Sequence, residues 1–273
     1  MGTWVYDLLF CSGLVLLALA CFQSERNWVR RTGLWLIFAS IGMGVWFLTH
    51  SIALMLGAVA AWFIVPVGQA MYFSRKLRFS RQRQLNPGRL DPVEFEDLGS
   101  LTTDLRNVDF VMDADYRLEP SPIEQGFRLF RHRSELLYAA IAIVHQGPMS
   151  LYYAMILTPG AEGAIWMTWD YPLAYGLKMP PHFKIYRCLD ARSAEELLAQ
   201  HREFLKINEV VPSPDAPVQE AGHFFDDLFK ATIQHNLNIG LLQQFKNSED
   251  EVAYSWRGTF FISWQVLVEL IRG

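Results

Sequence analysis

The sequence predicts a membrane anchor of three transmembrane α-helices followed by an α+β soluble domain, an antiparallel sheet of about five or six strands flanked by helices. Three observations predict it. Hydrophobic residues make up 51% of the chain, and the excess sits mostly before residue 75, in runs long enough to cross a bilayer. Short apolar segments separated by Gly and Pro fill the middle of the chain. Segments with an apolar residue at every third or fourth position close it.

The anchor is read first. Trp4–Phe22 is apolar apart from Asp7, and Gly33–Phe73 contains no Lys, Arg, Asp or Glu. A membrane helix needs ~20 residues, so the first run makes one helix and the second makes two. Thr49-His50-Ser51 is the polar cluster inside the second run and marks the turn. The expected helices are about 4–22, 33–49 and 51–73, within an anchor spanning 1–74. Pro66 falls inside the third, where it loosens a turn. His50 is read as part of the outer turn rather than as an intramembrane proton or metal site. Gly33, Ala39, Ser40, Gly42 and Gly44 recur in the second helix and permit close helix packing. The basic n-region of a cleaved signal peptide is missing.

Charge sets the expected direction. Residues 1–90 carry nine Lys/Arg against two acids, a local charge of +7, so the remainder carries −11 of the net −4. Arg30 and Arg31 lie with Arg26 before the second helix; Arg75, Lys76, Arg78, Arg81 and Arg83 follow the third. The N-terminus and the Thr49–Ser51 turn have no Lys or Arg. By the positive-inside bias the N-terminus is expected outside, with a cytoplasmic soluble domain at a plasma (inner) membrane crossed several times. Trp28 and Tyr72 are placed near the interfaces, where amphipathic rings are favoured.

Residues 75–91 read as a basic juxtamembrane connector, with Asn86-Pro87-Gly88 as a turn signal. Residues 92–211 read as the α+β domain. A helix is expected over Pro92–Asn107, then strands near Asp109–Leu118, Gly126–Arg133, Glu135–His145, Ser150–Leu157, Gly163–Asp170 and His182–Leu189. Ser193-Ala194-Glu195-Glu196 is a capping box opening a helix to about Asn208. Residues 212–273 read as a helical segment packed on that domain. Phe225, Phe229, Ile233, Leu237, Leu241 and Phe245 recur every four residues and predict one long helix from near Asp215–Pro217. Phe260, Phe261, Trp264, Leu267, Val268 and Ile271 predict a last helix, which packs on the domain or lies in the membrane surface.

The chemistry is sparse. Glycine-rich phosphate loops, H-E-x-x-H, C-x-x-C and G-x-S-x-G are all missing, and Cys188 is the one cysteine after the anchor. No cofactor and no metal are therefore expected, and the sequence assigns no enzymatic activity. An acidic domain argues against nucleic acid as a partner. The candidate catalytic group is His223, Asp226 and Asp227, whose spacing puts an imidazole and two carboxylates on one helix face. Acids favouring a helix N-terminus explain the same residues. His201 with Glu203, and His132 between two arginines, read as solvated faces. Tyr152, Tyr153, Trp166, Trp169, Tyr171 and Tyr175 form an aromatic group that strand alternation must divide between two faces, one under the helices and one on an open face of the sheet.

The resulting expectation is a membrane-tethered protein-interaction or sensory module, a candidate subunit of an envelope complex. Its partners are the lipid bilayer and another protein, with a small molecule left open. The alternatives are a membrane-associated hydrolase or transferase using the His223 face, and a structural membrane subunit acting through its helices.

Overall fold

The computed structural model describes residues 3–24, 27–81, 84–90, 95, 97–119, 124–146, 149–171, 176–210, 220–245 and 250–272. The chain divides into two compact units, Met1–Arg75 with Thr259–Gly273, and Lys76–Gly258.

In the first unit, α1 (Thr3–Phe22), α2 (Asn27–Thr49) and α3 (Ile52–Lys76) are each long and apolar enough to cross a membrane. The chain is thus membrane-associated through three helices, as the apolar runs predict. The α2 helix begins earlier than the apolar run, so Trp28, Arg30 and Arg31 lie in its first turns. His50 has a φ of 52° in the turn between α2 and α3. Ser51 Oγ then accepts the Leu54 N–H at 3.4 Å, capping α3. The small residues of α2 do pack closely. A side chain at Gly33 would meet the Ala18 carbonyl and the Cys21 Cβ at 3.0 Å. Ser40 Oγ donates to the Cys11 carbonyl at 3.2 Å, and Gly42 lies against Met55 and Val59 of α3. Phe38 fills the space between, 4.9 Å from the Phe63 ring.

The second unit is built on a seven-stranded sheet in the order β2-β3-β4-β5-β6-β7-β8. Its strands are β2 (Gln84–Pro87), β3 (Phe110–Glu119), β4 (Glu124–His132), β5 (Tyr138–Gln146), β6 (Met149–Pro159), β7 (Ile165–Trp169) and β8 (Phe183–Arg187). Every pair is antiparallel except β7–β8, which is parallel. The α+β class holds, with a sheet larger than the strand pattern predicts.

The central strand explains the layers. On β5, Tyr138, Ala140 and Ala142 point to one face and Ala139, Ile141 and Ile143 to the other, and all six are buried. A strand apolar on both sides must be covered on both sides. The α6 helix (Ala221–Asn238) covers the first face through Phe224, Phe225 and Leu228. The second face is covered by α4 (Leu98–Asn107) with Leu98 and Leu105, and by α5 (Ala194–Ile207) with Leu197 and Leu198. The serine half of the capping box forms, Ser193 Oγ accepting the Glu196 N–H at 3.2 Å, while Glu196 reaches back one residue further, to the Arg192 N–H at 2.7 Å.

Two expectations change. The basic stretch after α3 is not simply a connector. It contains β1 (Arg78–Ser80) as well as β2, and each buries one apolar side chain, Phe79 or Leu85. The four-residue spacing does not continue as helix to Phe245. Gly240 takes a φ of 73° and the Leu241 N–H returns to the Asn236 carbonyl at 2.9 Å, ending α6. The chain then forms β9 (Leu242–Gln244), which pairs with β10 (Glu251–Tyr254) and through it with β1. A last helix, α7 (Trp256–Arg272), follows, and its residues from Thr259 onward group with the first unit.

Close approach is decisive at Gly258, where a Cβ would collide with the Leu241 carbonyl oxygen. Gly258→Ala should therefore destabilise the second unit by about 1–3 kcal/mol in urea unfolding of the full chain. Gly99→Ala on α4, with no atom within 4 Å of the new Cβ, should be neutral or slightly stabilising. Equal effects at the two sites would contradict this packing.

Candidate functional site

The predicted imidazole–carboxylate group lies on the first two turns of α6. His223 and Asp227 are exposed, and Asp226 is half-buried. Asp226 Oδ1 accepts the Leu85 N–H at 2.7 Å, which fastens β2 beneath the helix. His223 Nδ1 comes within 4.0 Å of Glu220, also exposed. The start of α6 is held from the sheet by Asp113, whose Oδ2 accepts the Ala221 N–H at 3.1 Å. Burial, then the carboxylates of Asp113, Glu220 and Asp226, push the Tyr116 phenol up. Among the described residues no group of three His, Cys, Asp or Glu could hold a metal ion. Asp226 anchors β2 and Asp113 anchors the helix start, while His223 and Asp227 stay exposed.

His201 departs most from expectation. It is fully buried rather than on a solvated face, while Glu203 is exposed. Residues 197, 198 and 201 share one face of α5, so His201 continues the stripe that covers the sheet. Its Nε2 lies 2.8 Å from Thr158 Oγ1 on β6, and its Nδ1 lies 2.9 Å from Thr168 Oγ1 on β7. Both hydroxyls are themselves fully buried. Burial, and secondarily the Arg202 charge, lower the imidazole pKa from 6.5 to about 4, so it is neutral near pH 7. A neutral ring offers one donor and one acceptor, and a threonine hydroxyl satisfies either. His132 is likewise structural: its Nδ1 accepts the Glu135 N–H at 3.1 Å in the β4–β5 turn.

A second buried polar group ties β3, β4 and α4. Arg128 donates to Asp115 twice, at 2.7 and 2.8 Å, and to Thr102 Oγ1 at 2.9 Å. Asp115 also accepts the Leu90 N–H at 3.1 Å. On the opposite face, buried Asn236 of α6 brackets Lys178, accepting its N–H at 2.9 Å and donating to its carbonyl at 2.7 Å.

The aromatic group divides as strand alternation requires, but neither part rests on an open face. Tyr153, Trp169 and Tyr171 form one cluster on the α6 side, with the Tyr153 and Tyr171 rings 4.6 Å apart. Trp169 is only 4% exposed. Tyr152 packs on the other side, 6.5 Å from Phe95. The second face is covered because β5 is apolar there too. Tyr175 and Arg83 lie outside the described residues, as do the side chains of Arg30 and Arg31. Arg78 places its guanidinium 4.4 Å from the Phe245 ring centre, and the Arg81 N–H donates to the Asp250 carbonyl at 2.6 Å.

Half-buried Trp166 belongs to a further aromatic group at the edge of the sheet. Its ring lies 5.3 Å from Phe204 of α5, and Phe204 stacks on Tyr186 of β8 at 5.5 Å. The indole is seated over Gly160, where any side chain would meet its Nε1 at 2.9 Å. Tyr186 is 38% exposed, and Ile207, one turn beyond Phe204, is 71% exposed. This patch borders β8, which has a strand neighbour on one side only among the described residues. Sequence reasoning missed Tyr186, Phe204 and Ile207. The available signal was the apolar pair at 204 and 207, which prolongs the buried stripe of α5 beyond the sheet.

Compared with protein-family models, curated proteins and solved structures, the chain matches none.

The buried imidazole has a pH signature. Above pH 6.5 it is neutral folded and unfolded, and costs nothing. Between pH 6.5 and about 4 the unfolded chain takes up a proton that the folded state does not, so stability falls with falling pH. The full loss is roughly 3 kcal/mol. Urea unfolding of the full chain at pH 7 and pH 4 should show this loss in the wild type, beyond the loss in His201→Gln. Identical pH dependences would refute the assignment. Arg128→Ala should cost about 3–5 kcal/mol, because it strands the buried Asp115 carboxylate.

Proposed function

We propose that the chain is a membrane-tethered protein-interaction module, with the Trp166–Phe204–Tyr186 patch and Ile207 as its docking surface. The observation that carries the reading is that patch: three rings in contact beside a sheet edge, with a large aliphatic side chain exposed next to them. Rigid aromatic side chains lose little conformational freedom on binding and anchor protein interfaces. The three apolar helices supply the tether.

In this reading the second unit is cytoplasmic at the plasma (inner) membrane and the N-terminus is outside. Support comes from the basic residues, which flank α2 and α3 at one pair of ends and are missing from the Thr49–Ser51 turn. A subunit of a larger envelope complex, or a sensory module within one, fits the same arrangement. The enzyme reading draws no support from the start of α6, where Asp226 is committed to β2.

A photo-crosslinking residue at position 207 of the full chain, activated in native membranes, should yield one dominant protein adduct. Tyr186→Ala should reduce that adduct about tenfold, as expected for loss of an interface anchor. The same crosslinker at Lys230, on α6, should not give it. Equal adducts from both positions, or none from position 207, would reject the docking surface. An adduct that persists in Tyr186→Ala would favour a partner held through the membrane helices.

A further inference from the structure

A cavity of about 310 Å³ opens on the second unit where the chain crosses from β1 to β2. Arg81 and Gln84 line it from that crossing, and Lys230, Ile233 and Gln234 line it from α6. Helical spacing puts positions 230, 233 and 234 on one face, beside the face that covers the sheet through Phe224, Phe225 and Leu228. Hydrogen bonds fix both walls. Asp226 of α6 accepts the Leu85 N–H at 2.7 Å, next to Gln84. The Arg81 N–H donates to the Asp250 carbonyl at 2.6 Å. The charge of the lining has one sign: two side chains are cations, two are carboxamides and none is an acid. Ile233, 2% exposed, makes an apolar floor. Among the described residues neither the Arg81 nor the Lys230 side chain has an ion pair or a hydrogen bond. Gln234 Nε2 donates to Asn238 at 2.8 Å, which leaves its Oε1 to accept.

We propose that this cavity binds a small phosphate monoester carrying hydroxyl groups. Cations from opposite walls match the double negative charge of a monoester, and Arg81 brings the planar fork that grips two phosphate oxygens. A monocarboxylate would leave one cation unmatched. The carboxamides suit the rest of the molecule, since Gln234 accepts from a hydroxyl and Gln84 can accept or donate. The volume lies at the low end of ligand sites, which run from about 300 to 1,000 Å³, and fits a ligand of a few carbons. A soluble ester and the headgroup of phosphatidic acid share this chemistry. The site has no residue in common with the docking patch, so the two readings are independent.

The probe is glycerol 3-phosphate, titrated calorimetrically into the full chain in phosphatidylcholine nanodiscs. Binding should saturate. Arg81→Ala and Lys230→Ala should each weaken it about tenfold or more, as expected for loss of a hydrogen bond to a charged group. Both side chains are exposed, and circular dichroism checks that each variant is folded. Lys184→Ala, an exposed cation of β8, should change nothing. Discs containing phosphatidic acid, compared with discs containing phosphatidylglycerol, distinguish the sources. Weaker binding with phosphatidic acid alone supports the site and assigns the phosphate to the lipid; equal titrations support it and assign the phosphate to a soluble ester. No saturable binding to the wild type would overturn the proposal, and so would binding that both alanine variants leave intact.

Discussion

The soluble unit depends on one constraint, the two-sided apolar character of β5. With residues 138–143 buried alternately on both faces, the sheet cannot present a wet side, and helices must close it from above and below. Antiparallel meanders often solvate one face. This one is sandwiched, and the rest of the architecture follows. The α6 helix closes one layer, and α4 with α5 closes the other. Hydrophobic burial alone is non-directional and would let these helices slide. Specific polar contacts remove that freedom: His201 between two threonines for α5, Arg128 with Asp115 and Thr102 for α4, and Asp113, Asp226 and Asn236 for α6.

The same constraint explains what the candidate catalytic group became. An enzyme site requires polar groups that converge on open space with lone pairs or protons to spare. At the start of α6 the Asp226 carboxylate is spent on the Leu85 amide of β2, while Asp227 and the imidazole at 223 face solvent. The most strongly perturbed histidine, His201, is locked between β6 and β7 with both nitrogens satisfied. A perturbed titration here reports packing, not chemistry.

Much of this was legible in the chain. The two apolar runs, the second split at its polar turn, give the three membrane-length helices, because no soluble element needs such length without charge. Strands β3 to β8 follow their Gly/Pro punctuation, and the Ser193/Glu196 box starts α5 where its chemistry requires. The remainder was hidden for physical reasons. Strands β1 and β2 each bury one apolar residue, too few to show an alternation. The end of α6 depends on Gly240 adopting a left-handed conformation, and the apolar spacing continues through it because Leu241 and Phe245 serve other contacts. His201 looked exposed because its neighbours Arg202 and Glu203 are charged; its own position was readable only from the three- and four-residue spacing to Leu197 and Leu198. Of the aromatic group, sequence alternation divides the rings correctly but cannot tell that a second helical layer covers the other face.

The anchor changes how strong an interaction surface must be. A freely diffusing module recognising its partner through one small aromatic patch pays the full loss of translational freedom on binding. A module held at the membrane by three helices meets a membrane-bound partner at an effective concentration set by the tether, and a modest surface then suffices.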